Sequence, residues 1–159
     1  MATAITPPRN LASLGEEERP GASYRTPPHN FEAEKALLGA IFANNMAHER
    51  VADFLLPEHF ADPLHGRIFE AAAKLIEQGQ IADPITLKNF FEQDGSLEAV
   101  GGTKYLAELS ASMVSIINAA DYGRTIHDLH LKRQLINLGE DVVNNAHSPE
   151  VDDTAEGQI

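Results

Sequence analysis

The sequence predicts an all-α protein, a small globular helical head followed by one long projecting helix. Three observations carry that prediction. Helix punctuation recurs: Asp62-Pro63 opens a segment that Gly79 closes, and Asp83-Pro84 opens one that Gly95 closes. Asp at the N-cap, Pro in the first turn and Gly past the C-terminus are the residues that helix ends demand. Apolar residues within these segments recur at spacings of three and four, as on one face of a helix. From Ile116 to about Ala146 there is no proline at all.

The elements follow in order. Residues 1 to 28 read as a disordered leader, with five of the nine prolines (Pro7, Pro8, Pro20, Pro27, Pro28) and the run Glu16-Glu17-Glu18. Such a composition buries too little apolar surface to offset chain entropy. The globular head spans 29 to 112. Its first helix starts after Asn30, whose side chain can cap free N–H groups, and Glu32 and Glu34 suit the positive end of the helix dipole. Leu37, Leu38, Ile41 and Phe42 form its apolar stripe, and Asn44-Asn45 ends it. A short helix from about Ala47 to Leu55 is expected next, stopped by Pro57. Leu64, Ile68, Ala72, Leu75 and Ile76 mark the helix after Asp62-Pro63. Leu87, Phe90 and Phe91 mark the one after Asp83-Pro84. Gly101-Gly102 makes a turn, and a helix from about Thr103 to Ala111 follows with Tyr105, Leu106 and Leu109 on one side.

The long helix is assigned to 113–147, with Ser115 as its cap. Tyr122, Ile126, Leu129, Ile136 and Val143 make one stripe, and Leu131, Leu135, Leu138 and Val142 a second. An apolar surface that wide needs covering on more than one side. A helix of about 30 residues is roughly 45 Å long, more than a small head covers. The expectation is a projecting helix packed on another helix, from this chain or another. Residues 148 to 159 read as an acidic linker that begins to look helical at Thr154, as if a further helix were cut short.

Composition excludes several function classes. The net charge is -12, and only Lys132-Arg133 are adjacent among twelve basic residues. A broad phosphate-binding face needs clustered Lys and Arg, so direct nucleic-acid binding is not expected. With no Cys, disulfides and thiolate metal sites are excluded, and a reducing, cytoplasmic setting fits. No secretory signal and no transmembrane span of about 18 apolar residues is present.

No catalytic chemistry assembles along the chain. The string Gly95 to Lys104 has the wrong spacing for a phosphate-binding loop, its Lys follows Thr103, and no strand precedes it. His59, Asp62 and His65 lie three apart, and His127 and His130 flank Asp128, but a metal needs three or four converging ligands and Asp62 is assigned to capping. No catalytic, cofactor or metal residue is therefore expected. The apolar residues of the long helix are the functional signal, with burial inside the domain as their competing reading.

Specific strings add a resemblance. Pro27-Pro28-His29-Asn30-Phe31-Glu32-Ala33-Glu34 followed by Leu37-Leu38-Gly39, then Gly79 through Asp83-Pro84-Ile85-Thr86-Leu87, then Val100-Gly101-Gly102-Thr103-Lys104-Tyr105-Leu106-Ala107-Glu108-Leu109, then Asn118-Ala119-Ala120-Asp121-Tyr122, resemble the N-terminal domain of bacterial replicative DNA helicases, the DnaB family. The landmarks run in family order from Pro27 to about Ala146. The resemblance implies a helical head and a helical hairpin, of which 113–147 is the first arm and the return arm is truncated. It implies pairing of hairpins between subunits, a hexamer collar, and docking of the primase C-terminal domain and of some helicase loaders, in DNA replication and the primosome. ATP and magnesium would belong to a motor domain of the parent helicase, so this chain alone would be inactive. Carried over by position, the partner-binding residues are Glu32, Tyr105, Tyr122, Ile126, Ile136 and Val142. The alternative is a free-standing helical regulator of replication that mimics the helicase head. A small metal-dependent or acid–base enzyme is a third reading, which metal analysis would address.

Overall fold

The computed structural model describes residues 25–148; most of the expected leader and nearly all of the acidic tail lie outside them. Among the described residues every regular element is helical: α1 (Phe31–Ala43), α2 (Met46–Glu49), α3 (Pro63–Glu77), α4 (Pro84–Gln93), α5 (Gly102–Ala111) and α6 (Ala119–His147), with 3-10 turns at Pro57–His59 and Glu98–Val100.

The helix ends form where cap chemistry places them. Asn30 accepts from the Ala33 N–H at 2.9 Å, and Asp62 from the Leu64 N–H at 2.9 Å. Asp83 accepts from the N–H groups of Ile85 and Thr86, and the Thr86 hydroxyl accepts from the Asp83 N–H in return. Such caps each stabilise by about 1 kcal/mol. At the other ends Gly79 and Gly95 take φ of 75°.

The core is built around α1. Leu37, Leu38, Ala40 and Ile41 are fully buried and Phe42 nearly so. The single stripe expected there is in fact an almost all-round apolar surface, because α3, α5 and α6 all pack on this helix. Gly39 explains the closeness of α5. A Cβ at this position would lie 2.4 Å from the Leu109 carbonyl oxygen and 2.9 Å from the Met113 nitrogen. Ile68, Phe69, Leu87, Leu106, Leu109 and Ile126 are among the large side chains that join it in the core. Each such side chain contributes about 1.5–3 kcal/mol on burial. Asn45 fastens the end of α1 to the α3–α4 connection, accepting from the Ala82 N–H and donating to the Ala82 carbonyl.

Three local expectations need correction. The helix expected from Ala47 to Leu55 stops at Glu49 and continues as turns, with both Phe54 and Leu55 N–H groups bonded to the Val51 carbonyl. This tightening brings Val51 and Leu55 together into the core. Pro57 does not merely stop a helix; it starts the first 3-10 turn. Ser115 does not cap the long helix. Ile116 packs on the core, its carbonyl accepts from the Ala119 N–H, and α6 begins there.

The long helix is the head and the arm at once. Ala119, Gly123 and Ile126 are buried against the head. A Cβ on Gly123 would come within 2.5 Å of a Val51 methyl. From Leu131 to His147 every residue except Arg133 is exposed. The helix of 29 residues thus leaves the head about halfway along.

Candidate functional site

Three places gather the polar and exposed apolar residues, and each is set by how the helices cross. The first is a buried network beneath the α1 and α3 N-termini. Glu34 is 2% exposed and His65 1%. The Glu34 carboxylate accepts from the N–H groups of Ala61 at 2.9 Å and Asp62 at 3.2 Å, and from His65 Nδ1 at 2.8 Å. The Tyr105 hydroxyl sits 2.6 Å from His65 Nε2. Glu34 therefore does more than serve its own helix N-terminus, as the sequence led one to expect: it holds the segment that caps α3. Burial, followed by the carboxylates of Asp62, Glu108, Glu34 and Glu32, pushes the Tyr105 phenol above its ordinary value, so it stays protonated.

The second place is an open groove of about 410 Å³ between α1 and the start of α6, lined by Asn30, Glu32, Ala33, Val114, Asp121 and Tyr122 among others. Val114 and the nearby Ile117 are 77% and 79% exposed. Its rim is acidic, although Asp121 is paired with Arg124 at 2.9 Å.

The third is the outer half of α6. Leu131, Leu135, Ile136, Leu138, Val142 and Val143 are 43–68% exposed, a two-sided apolar surface that the described chain approaches only at Ile136. At its inner end a groove of about 680 Å³ runs between Arg25–Pro28 and α6, lined by His130, Arg133, Ile136 and Glu140 among others. Arg133 closes this end by donating to the carbonyls of Pro28 and His59, each at 2.8 Å.

The six residues carried over as partner-binding thus do not converge. Glu32 and Tyr122 share the second groove. Tyr105 belongs to the buried network, half-exposed at its rim. Ile136 and Val142 lie on the free arm. Ile126 is 2% exposed and is a core residue, because Gly123 one turn earlier draws α6 onto Val51 and Phe54. Val114 and Ile117 went unnoticed in the sequence, where only their position just before the long helix could have drawn attention to them, and Arg133 stood out only as half of a basic pair. Among the described residues no three His, Asp or Glu side chains converge as metal ligands. No described helix is long and apolar enough to cross a membrane.

The described residues thus form a helical head and one long helix whose outer half carries exposed apolar side chains. The pattern of the DnaB-like helicase N terminal domain matches residues 26–128. The replicative DNA helicase DnaB of Rickettsia typhi is 46% identical over 135 residues, which is 85% of this chain but 27% of that protein. That of Pasteurella multocida is 34% identical over 122 residues, 77% of this chain and 26% of that protein. The crystal structure of the N-terminal domain of the Mycobacterium tuberculosis DnaB helicase superimposes with a TM-score of 0.75 at 28% identity, over 77% of this chain and 89% of that one. A DnaB-like replicative helicase whose structure was described with its interactions with primase gives a TM-score of 0.64 at 28% identity, over 74% of this chain and 28% of that one. The chain belongs to the DnaB-like helicase N-terminal domain family, and it spans little more than a quarter of the length of these helicases.

Proposed function

We propose that this chain is the assembly and docking head of a replicative DNA helicase, binding the primase C-terminal domain and a second copy of itself through the outer half of α6. The observation that carries this reading is the arm. Six large apolar side chains between Leu131 and Val143 are exposed on a helix whose inner half is firmly packed. An apolar surface of this extent is the mark of an interface, and helix-in-groove or helix-on-helix docking uses such spacing. In this reading the chain contributes to a hexamer collar in the cytoplasm and offers a surface to helicase loaders. ATP hydrolysis with magnesium falls to a motor domain of the parent protein, and DNA contacts lie elsewhere, in keeping with the charge of -12.

The test is calorimetric titration of this chain with the C-terminal domain of the cognate primase. Saturable binding is expected, weakened at least about tenfold, or about 1.4 kcal/mol, when Ile136→Glu and Val142→Glu are combined. Both residues are exposed, so thermal stability should not change. Absence of binding by the wild-type chain, or equal binding by the double variant, overturns the reading. The Glu32 and Tyr122 groove is the second surface to probe: Tyr122→Ala should weaken primase binding if that groove takes part. The purified chain should not hydrolyse ATP.

A further inference from the structure

The junction between head and arm carries a histidine cluster that the docking function does not use. His59, on the first 3-10 turn, meets two imidazoles of α6: ring centroids are 4.9 Å apart for His127 and 4.6 Å for His130. His59 is 7% exposed. Its Nδ1 accepts from the Leu56 N–H at 3.0 Å, which fixes the neutral ring with its proton on Nε2. A proton added at Nδ1 would face the Leu56 N–H, donor against donor. The carbonyl of the same residue accepts from Arg133. On the opposite side α3 presses on the turn through Gly66, where a Cβ would lie 2.5 Å from the Pro57 carbonyl oxygen. The turn is thus held between α3 and α6, and His59 is its fastening on both its backbone and its ring.

We propose that His59, His127 and His130 form an acid-sensitive joint: protonation of His59 and His130 breaks the Leu56–His59 bond, loosens the grip of Arg133 and lets α6 swing away from the head.

The surroundings oppose added positive charge. From α6 come His127, His130 and Arg133, and from the turn itself Glu58, the one carboxylate acting on both histidines. The segment before α1 brings Arg25 to the groove that His130 and Arg133 line, with Glu140 farther along it. The stretch after α2 meets His127 with the Phe54 ring, while its Arg50 and Asp53 are exposed. On α3 the nearby ionisable ring, His65, is turned to Glu34 and Tyr105. Burial first, then the imidazoles of His130 and His127, lowers His59 below its ordinary value of 6.5; burial first, then Arg133, lowers His130. The open state therefore binds more protons than the closed one. The closed joint is fully favoured above about pH 6.5 and loses its advantage as pH falls below that value.

The test uses the full chain, which has no cysteine of its own. Spin labels on Glu49→Cys and Asp141→Cys, diluted with unlabelled chain, report the head-to-arm distance distribution. At pH 7.5 it should be narrow, and at pH 5.5 at least twice as broad. Combined His59→Asn, His127→Gln and His130→Gln should give the same narrow distribution at both values, since Asn keeps an acceptor for the Leu56 N–H. Imidazole nitrogen NMR of the otherwise wild-type chain gives a reading independent of those substitutions. It should show the His59 Nε2–H form at pH 7.5 and protonation below 6.5, coincident with the broadening. An unchanged wild-type distribution, the same broadening in the triple variant, or protonation of His59 at or above 6.5 overturns the proposal.

Discussion

Single glycines separate the parts of this chain that touch from those that do not. At Gly39 a methyl would collide with the backbone of the α5 C-terminus, which has no rotamer to turn away. Gly39→Ala should cost about 1–3 kcal/mol through forced backbone shifts, seen as a lower denaturant midpoint. At Gly139 a methyl meets nothing within 4 Å. Gly139→Ala should leave the head unchanged and raise the helicity of the arm, by up to about 1 kcal/mol in propensity. Circular dichroism and unfolding curves on the two variants check both directions. Tyr105→Phe removes the partner of a ring nitrogen that is otherwise buried, so it should cost about 1–3 kcal/mol even though the phenyl ring still fits. An unaltered unfolding midpoint would mean that water replaces the hydroxyl. None of this polar network was legible in the sequence. Glu34 looked like an ordinary first-turn acid, because its partners lie 27 to 31 residues away and the nearest signal, Asp62-Pro63, had already been explained by capping.

At the scale of elements, caps were legible and packing partners were not. Asn30, Asp62 and Asp83 act on N–H groups two or three residues ahead, so local spacing reveals them. The end of α2 and the start of α6 depend instead on where Val51 and Ile116 must reach the core, which no neighbouring residue announces. The join of α6 to the head is of the same kind. Arg133 reaches two carbonyls, 74 and 105 residues away. Arg133→Met keeps much of the stem and loses both bonds. It should destabilise the fold by about 1–3 kcal/mol and speed amide exchange at Phe60 more than at Leu109, measured by hydrogen exchange. Equal acceleration at both would show that the head melts as one unit and that Arg133 is no separate fastening.

For the whole molecule, helix punctuation, apolar spacing and length foretold the architecture: a helical head and a long helix that the head covers only in part. What they could not foretell is how the candidate docking residues are shared out. Helical spacing put Tyr122, Ile126 and Ile136 on one stripe, yet only the inner part of α6 faces the head, so Ile126 is sealed in the core while Ile136 stands in solvent. Hydrogen exchange of the dilute chain should therefore divide α6. Amides from Tyr122 to about His130 should be protected nearly to the level of global unfolding, and those beyond Leu131 should exchange orders of magnitude faster. Protection that spreads outward as concentration rises would report self-association.

Because one unbroken helix supplies both the core residues and the free apolar surface, the head holds a lever. From His130 to His147 the arm extends roughly 25 Å at 1.5 Å per residue. A rotation of about 10° at its root would carry the tip about 4 Å sideways, enough to change which side chains meet across an interface. A side-chain rearrangement at the fulcrum, too small to alter the core, would thus be felt by whatever partner grips the far end.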